Sequence, residues 1–179
     1  MAKLTFITSN QHKAQQLMQW LDYPIEHQAL ELEEIQSLNL QEIVDYKVRQ
    51  AYEKMHSPVL VEDVSLSFDY LGDLPGPLIK WFVASMSLSQ LCSLIPAAAN
   101  RTAVARIMYA LYDGMTIRHF SGEMRGSISD YPKGLTDFGW NAIFVPVGSQ
   151  KTYGEMSEKE LRRFSHRARA IEQLSMYLK

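Results

Sequence analysis

An acidic pair follows a short apolar run in the first half of the sequence. Residues 58–61 read Pro-Val-Leu-Val, which is typical of a buried strand, and Glu62 and Asp63 come directly after it. Carboxylates at the carboxyl ends of strands in α/β proteins lie where ligands usually bind. Because adjacent side chains of an extended chain point to opposite faces, we expect one of the two to face a ligand and the other not. The competing interpretation is a solvated acidic loop.

A second source of carboxylates is Glu33-Glu34, which precedes the longest predicted helix. Carboxylate oxygens suit a hard cation, and Mg²⁺ commonly takes one or two protein carboxylates together with waters and other oxygen ligands. Glu34 could therefore join Asp63 at a magnesium ion. For Glu34, too, a solvated loop is the competing interpretation.

The first residues of the sequence combine the features of an anion site. A short β-rich run, residues 3–8, ends in the polar segment Ser9-Asn10-Gln11-His12, and Lys13 falls in the first turn of the helix predicted next. Backbone N–H groups at a helix N-terminus, polar side chains and a lysine together can hold a phosphate. An ordinary capped helix with a solvated lysine is the alternative, and the glycines of a P-loop are absent from this segment.

Two further segments carry groups that could read a base. Phe138-Gly139-Trp140-Asn141 places two aromatic rings and an amide in a loop, and stacking on an aromatic ring contributes ~1–3 kcal/mol per base in single-strand binders. Ser165-His166-Arg167 opens the last predicted helix, where the planar donor fork of arginine suits carbonyl or phosphate oxygens. Core aromatics and an incidental basic helix start are the competing interpretations.

The elements that must position these groups alternate along the chain. Strands are predicted at residues 3–8, 25–32, 58–61, 101–112, 115–128 and 142–145. The first helix is predicted from the apolar residues Ala14, Leu17, Met18 and Leu21, which recur at helical spacing. Further helices are predicted at residues 40–55 with Asn39 as the N-cap, 78–86, 88–95, 157–163 and 165–178. Asp113-Gly114 between two long strands is a strong hairpin signal. This alternation predicts an α/β fold built on a mixed sheet, as a single domain over residues 1–179.

Composition argues against several other classes of protein. Hydrophobic residues make up 46% of the 179 residues, so a core can form. The net charge of −2 argues against a nucleic-acid-binding surface, which usually has a basic excess. The one cysteine, Cys92, lies in an apolar run and is interpreted as a buried small residue rather than a nucleophile. With no signal-peptide pattern and no apolar run of about 20 residues, we predict a cytoplasmic protein with no membrane partner.

In their order and spacing, these segments resemble one family, the inosine/xanthosine triphosphate pyrophosphatases. Thr8-Ser9-Asn10-x-x-Lys13 is similar to the opening segment of that family, with Ser9 where glycine is usual. The longest match is residues 71–82, which read Leu-Gly-Asp-Leu-Pro-Gly-Pro-Leu-Ile-Lys-Trp-Phe. The other matches are residues 59–66, 138–144, 152–157 and 165–167, so the resemblance covers residues 3–178.

The resemblance implies both a fold and an activity. The fold is an elongated mixed β-sheet with flanking helices and two lobes around a deep central cleft, usually in a homodimer. The activity is the Mg²⁺-dependent hydrolysis of a purine nucleoside triphosphate to its monophosphate and pyrophosphate. The implied substrates are (deoxy)inosine and xanthosine triphosphate, so that deaminated purines are removed from the nucleotide pool.

The resemblance also implies a role for each matching residue. Glu34 and Asp63 would carry the magnesium, and Asp63 would also activate the attacking water, with Lys13 as the second catalytic residue. The residues implied to hold the phosphates are Thr8, Ser9, Asn10, Lys13 and Lys80. The residues implied to bind the base are Phe138, Gly139, Trp140, Asn141, His166 and Arg167.

Three positions depart from the pattern of that family. Asn141 stands where aspartate is usual, Leu161 where lysine is usual, and Val64 where serine or threonine is usual. The residues implied to bind the phosphates and the metal are retained, so hydrolysis is expected. Because the base-reading set is altered, two alternatives stay open: a pyrophosphatase of altered specificity and a weakened nucleotide-binding relative.

Overall fold

The structure, a computed structural model, describes residues 4–136 and 138–179. The helices there are α1 (Gln11–Trp20), α2 (Leu40–Met55), α3 (Ile79–Ser85), α4 (Leu88–Ser93), α5 (Glu158–Phe164) and α6 (His166–Leu178). The strands are β1 (Thr5–Ile7), β2 (Glu26–Gln28), β3 (Val59–Phe68), β4 (Pro75–Gly76), β5 (Thr102–Tyr112), β6 (Ile117–Ile128) and β7 (Phe144–Pro146). Short 3₁₀ turns lie at Asp69–Leu71, Asn141–Ile143 and Tyr153–Glu155. The predicted α/β class is confirmed.

The strands form a mixed sheet. Their order is β2-β1-β3-β5-β6-β7, and β4 pairs with β3 beside this path. β1 is parallel to β2 and to β3, with Thr5 opposite both Glu26 and Val59. β4 is antiparallel to β3, and β7 is antiparallel to β6. Parallel strands need crossover connections, and α1 and α2 supply them for β1, β2 and β3.

The chain divides into two compact units, each assembled from segments that are distant in sequence. Unit 1 takes the described residues up to Val64 together with Ile107–Gly122 and Arg169–Lys179. Unit 2 takes Ser65–Arg106 and Glu123–Ala168. Strands β3, β5 and β6 contribute residues to both units, and the single-domain organisation of residues 1–179 stays a prediction.

Helix α2 builds much of the core of unit 1. Val44, Val48 and Ala51 recur on one face of the helix and are fully buried. Asn39 caps the helix, because its side-chain oxygen accepts the N–H of Gln41 at 3.0 Å. The predicted helix and its N-cap are confirmed.

The core of unit 2 contains a group of packed aromatic side chains. Phe68, Trp140, Phe144 and Tyr153 are buried together, and the ring centroids of Phe144 and Tyr153 are 5.1 Å apart. Cys92 is buried in the same cluster, and this burial raises the pKa of its thiol. The interpretation of Cys92 as a buried small residue is confirmed.

Two strands differ from the predicted boundaries. β2 ends at Gln28 rather than at residue 32, because Leu30 and Leu32 pack on the core of unit 1 outside the sheet. β3 runs on to Phe68, since its second half pairs with β4, a strand that was not predicted. The expectation that the strand stops before the acidic pair is therefore wrong: Glu62 and Asp63 lie within it.

The first strand and the long hairpin lie close to their predicted positions. The strand predicted at residues 3–8 is β1, which is limited to Thr5–Ile7: Leu4 and Thr8 flank it, and Lys3 lies outside the described residues. The long strands β5 and β6 flank Asp113-Gly114, as the hairpin signal predicted. Among residues 4–136 and 138–179, no helix combines the length and apolar character needed to cross a membrane.

Candidate active site

The turn between β1 and α1 is held by its own side chains. Thr8 Oγ1 accepts the N–H of Asn10 at 3.2 Å, and Asn10 Oδ1 accepts the N–H of Lys13 at 3.1 Å. Asn10 is the N-cap of α1, and both Ser9 and Asn10 are exposed. The helix therefore begins at a polar turn that solvent reaches, where N–H groups and the helix dipole favour an anion.

Lys13 reaches from α1 to the acidic pair of β3. Its Nζ lies 3.0 Å from Glu62 Oε1, and the side chains are 19% and 1% exposed, respectively. A buried carboxylate is costly unless it is paired, so this contact explains how Glu62 is accommodated in the interior. Glu62 is thus the inward-facing member of the acidic pair, and Lys13 is held in place rather than solvated.

Asp63 reaches a different helix. Nζ of Lys47, on α2, donates to Asp63 Oδ2 at 3.3 Å, to Glu34 Oε1 at 3.2 Å and to Glu62 O at 3.2 Å. Burial of Lys47 disfavours its charged form, but the negative charges of Asp63 and Glu34 outweigh that cost and raise the pKa of Lys47. One buried ammonium group therefore joins two carboxylates from separate segments. This arrangement of Glu34, Lys47 and Asp63 is called the carboxylate junction below.

The two acidic side chains of the carboxylate junction are the candidate ligands for a metal ion. Glu34 and Asp63 converge on a single cationic atom. Mg²⁺ takes the same kind of donor, with one or two carboxylates completed by waters and phosphate oxygens. Within the part of the chain that the structure describes, no set of three or more His, Cys, Asp or Glu side chains gathers as a metal cluster. The two-carboxylate donor set fits Mg²⁺.

Lys47 is a residue that the sequence reasoning missed. It lies on the buried face of α2, between Val44 and Val48. The apolar residues around it already predict one face of a helix, so the pattern gave no separate reason to consider the lysine. A charged residue at an apolar-face position is rarely buried unless it is paired. That conflict between residue type and position is the signal that could have revealed it.

In unit 2, Phe138–Asn141 forms a tight turn. The Asn141 N–H donates to Phe138 O at 3.1 Å, and Gly139 has a φ of 55°, which suits glycine. Gly139 is exposed, whereas Phe138 and Asn141 are half-buried. An aromatic ring and an amide are therefore both partly accessible here.

His166 stacks on two aromatic rings. Its ring centroid lies 5.5 Å from that of Trp140, with 28° between the planes, and 6.0 Å from that of Tyr153, with 15°. Trp140 is 7% exposed and His166 is 5% exposed. Trp140 is thus a packed core ring that contacts His166, and Phe138 is the more accessible of the two aromatic residues in the turn.

The remaining candidate side chains of unit 2 differ in exposure. Arg167 is buried, and its backbone N–H donates to Ser165 Oγ at 3.0 Å. Lys80, in the first turn of α3, is exposed, and its Nζ lies 5.7 Å from the ring centroid of Trp81. Leu161 packs against the core of unit 2, so its side chain contributes to stability there.

The structure therefore assembles two groups of the expected residues, one within each unit. In unit 1, the turn at the start of α1 is linked through Lys13 and Glu62 to the carboxylate junction. In unit 2, the turn at Phe138–Asn141 is linked to His166 through Trp140. The roles of these residues in binding and catalysis stay predictions.

Comparison with known proteins gives the chain a family. The chain belongs to the Ham1 family, whose model matches residues 4–177. An inosine triphosphate pyrophosphatase from Kluyveromyces lactis is 37% identical, over 98% of this chain and 95% of that protein. A dITP/XTP pyrophosphatase from Hyperthermus butylicus is 33% identical, over 96% of this chain and 92% of that protein.

A solved structure supports the same fold. A HAM1 protein from Coxiella burnetii matches with a TM-score of 0.87 at 24% identity, over 99% of this chain and 98% of that chain. The expected mixed sheet with flanking helices is confirmed.

Proposed function

We propose that this protein is a Mg²⁺-dependent nucleoside triphosphate pyrophosphatase that acts on 6-oxo purines such as inosine, deoxyinosine and xanthosine triphosphate. The products are the monophosphate and pyrophosphate. The observation that carries the proposal is the carboxylate junction, in which Glu34 and Asp63 share one cation next to the Lys13–Glu62 pair. A hard cation and an anion-binding helix start are what triphosphate hydrolysis needs.

The names of the relatives support this reaction. Relatives that align with nearly the whole chain are called inosine triphosphate pyrophosphatase and dITP/XTP pyrophosphatase. A weakened nucleotide-binding protein would not need the carboxylates that this chain retains. These names favour a pyrophosphatase of inosine and xanthosine triphosphates over one of altered specificity, and the retained carboxylates favour it over a nucleotide-binding relative.

The phosphates are proposed to bind at the start of α1. Thr8, Ser9 and Asn10 supply polar groups in an accessible turn, and Lys13 supplies a positive charge. Because Glu62 holds the Lys13 ammonium at 3.0 Å, little side-chain freedom remains to be lost when a phosphate binds. Lys80 is proposed as a second phosphate-binding lysine.

Glu34 and Asp63 are proposed to hold the Mg²⁺, which when bound neutralises charge on the phosphate oxygens. Asp63 also accepts a proton from the attacking water. The water oxygen bonds to phosphorus as the anhydride bond between the α- and β-phosphates breaks, and pyrophosphate leaves. Positioned proton transfer of this kind contributes ~10²–10⁴-fold to the rate. Lys47 keeps the two carboxylates together.

The base is proposed to be read in unit 2. His166, Arg167 and Asn141 offer polar groups, and Phe138, Gly139 and Trp140 form the surrounding wall. Donors directed at the 6-position accept the oxygen of hypoxanthine or xanthine, whereas the amino group of adenine would face them with another donor. The burial of His166 and Arg167 supports this role, because buried donors are fixed before the substrate arrives.

We further propose that the protein works as a cytoplasmic homodimer on a small-molecule substrate. The resemblance to the triphosphate pyrophosphatases supports the dimer. The net charge of −2 supports a nucleotide rather than a nucleic acid as the partner.

Phosphorus NMR of a reaction with inosine triphosphate and Mg²⁺ tests the proposed reaction. We expect the monophosphate and pyrophosphate in equal amounts. Asp63→Asn should slow their formation ~10²-fold or more while the protein stays folded. Asp22→Asn, which changes a side chain that is 90% exposed, is the control and should keep full activity. Release of orthophosphate, or an Asp63→Asn variant as active as the control, would overturn the proposal.

A further inference from the structure

Residues 30–34, called the delivery segment here, lie outside the sheet, and the last of them, Glu34, belongs to the carboxylate junction. Side chains of α2 bond to the main chain of this segment. Lys54 Nζ donates to Glu31 O at 2.5 Å. Gln50 donates from Nε2 to Glu33 O at 2.9 Å and accepts the Glu33 N–H on Oε1 at 3.1 Å. One amide thus satisfies both backbone groups of Glu33, as a neighbouring strand would.

Side chains of the delivery segment alternate in direction. Leu30 and Leu32 pack against the core of unit 1, whereas Glu33 is exposed and its Oε2 accepts the hydroxyl of Tyr46 at 3.0 Å. Extended chain alternates with a period of two, so Glu34 falls on the same side as the two leucines. There it meets Lys47 at 3.2 Å.

A shift of one residue would exchange Glu33 and Glu34. Such a slip turns every side chain of an extended segment to the opposite side. Because both residues are glutamates, side-chain chemistry does not determine which of the two carboxylates contacts Lys47. The choice depends on the packing of the leucines and on the main-chain bonds at Glu33.

We propose that Gln50 is a positioning residue that fixes the register of the delivery segment, so that Glu34 rather than Glu33 is presented beside Asp63. The inference rests on the proposed function, since it takes the metal role of Glu34 from there. Gln50 acts through Glu34 and not on the substrate. It lies three residues after Lys47 on α2, so one turn of the helix holds both the segment and the ammonium group.

The experiment measures how much Mg²⁺ tightens the binding of a non-hydrolysable inosine triphosphate with a methylene group between the α- and β-phosphorus atoms. The quantity is the ratio of its dissociation constants in EDTA and in saturating Mg²⁺. Gln50→Met keeps the length and helix propensity of the side chain but removes both bonds to Glu33. Gln41→Met is the matched control, because the bond from Gln41 to Asn39 is made by the backbone N–H.

Glu34→Gln and Glu33→Gln are each made in the wild type and in Gln50→Met. In the wild type, Glu34→Gln should lower the ratio ~10-fold or more, and Glu33→Gln should leave it unchanged. Gln50→Met should itself lower the ratio ~10-fold, and in that background the two glutamate variants should have similar effects. Gln41→Met should behave as the wild type.

Two results would contradict the inference, and each refutes a different part of it. If Gln50→Met keeps both the full ratio and the preference for Glu34, the positioning role is wrong while the metal site stands. If Glu34→Gln leaves the ratio unchanged in the wild type, the metal role of Glu34 is wrong and the inference falls with it. Should Gln50→Met fail to fold, Gln50→Ala replaces it, because alanine also removes both bonds to Glu33 and favours the helix. A full ratio of dissociation constants in that variant also overturns the inference.

Discussion

At the scale of single residues, the ammonium group of Lys47 separates two carboxylates that would otherwise repel each other. Its Nζ lies 3.2 Å from Glu34 and 3.3 Å from Asp63. Lys47→Met removes that charge, so the free energy of unfolding in EDTA should fall by about 1–3 kcal/mol; the 35% exposure of Glu34 moderates the loss. Chemical denaturation measures it, with Lys159→Met on the exposed side of α5 as the control.

Mg²⁺ gives the same variant a second readout. Because Mg²⁺ can replace the missing positive charge between the carboxylates, it should stabilise Lys47→Met more than it stabilises the wild type. Equal stabilisation of the two proteins by Mg²⁺ would contradict the proposal that Glu34 and Asp63 hold the metal.

Asn141 sets the expected base preference. An ionised aspartate only accepts hydrogen bonds and so matches the N1–H of a 6-oxo purine, whereas asparagine offers a donor as well as an acceptor and bonds more weakly by ~1 kcal/mol. Asn141→Asp should therefore raise the ratio of kcat/KM for inosine triphosphate to that for ATP by roughly fivefold. The backbone bond from Asn141 to Phe138 survives the change. An unchanged ratio would show that the side chain serves the turn instead.

Charged residues were predictable where they stand beside a recognisable element. Lys13 follows a strand and opens a helix, and Asp63 follows an apolar run, so the sequence marked both as candidates. Lys47 was missed because the residues around it were already explained as the apolar face of a helix. The burial of Trp140 was equally hidden, since an aromatic residue beside glycine fits an open loop as well as a core.

At the scale of elements, Arg101 joins α4, β6 and the loop that leads to Phe138–Asn141. Its Nε donates to Ile128 O at 2.8 Å, and Nη1 donates to Ile95 O at 2.9 Å. Nη2 donates to Cys92 O at 3.0 Å and to Ser129 O at 2.8 Å. One guanidinium group therefore satisfies four backbone carbonyl groups at the ends of two elements.

Removal of this guanidinium group should destabilise the protein far more than removal of an exposed one. Arg101→Met should lower the free energy of unfolding by about 3 kcal/mol, because a buried carbonyl left without a donor costs ~1–3 kcal/mol. Arg106→Met is the matched control on β5; its ion pair with Glu123 is exposed and should contribute ~1 kcal/mol or less. Equal losses in thermal or chemical unfolding would show that the carbonyl contacts of Arg101 contribute little.

Elements with a long periodic pattern were predicted well, and short ones were not. The apolar face of α2 and the hairpin of β5 and β6 are encoded locally. β2 is shorter than its alternating pattern suggests, because Leu30 and Leu32 pack on the core without a strand partner. The continuation of β3 depends on β4, a two-residue strand too short to leave a pattern of its own.

At the scale of the whole molecule, the family match over residues 4–177 leaves little of the chain unaccounted for. We expect a homodimer, as the resemblance to the triphosphate pyrophosphatases implies. Light scattering across a dilution series should give twice the 20.5 kDa mass of the chain. A mass of 20.5 kDa at the concentrations used for activity would rule out the dimer as the working form.

The measurement that tests the central claim most directly is pyrophosphate release from inosine, xanthosine, guanosine and adenosine triphosphates, each with Mg²⁺ and with EDTA. The predicted result is rapid release from the inosine and xanthosine substrates in Mg²⁺, slower release from the other two, and loss of all four activities in EDTA. Asp63→Asn serves as the inactive control. Activity that persists in EDTA would contradict the metal site, and equal rates on the adenosine and inosine substrates would contradict the reading of the 6-oxo group.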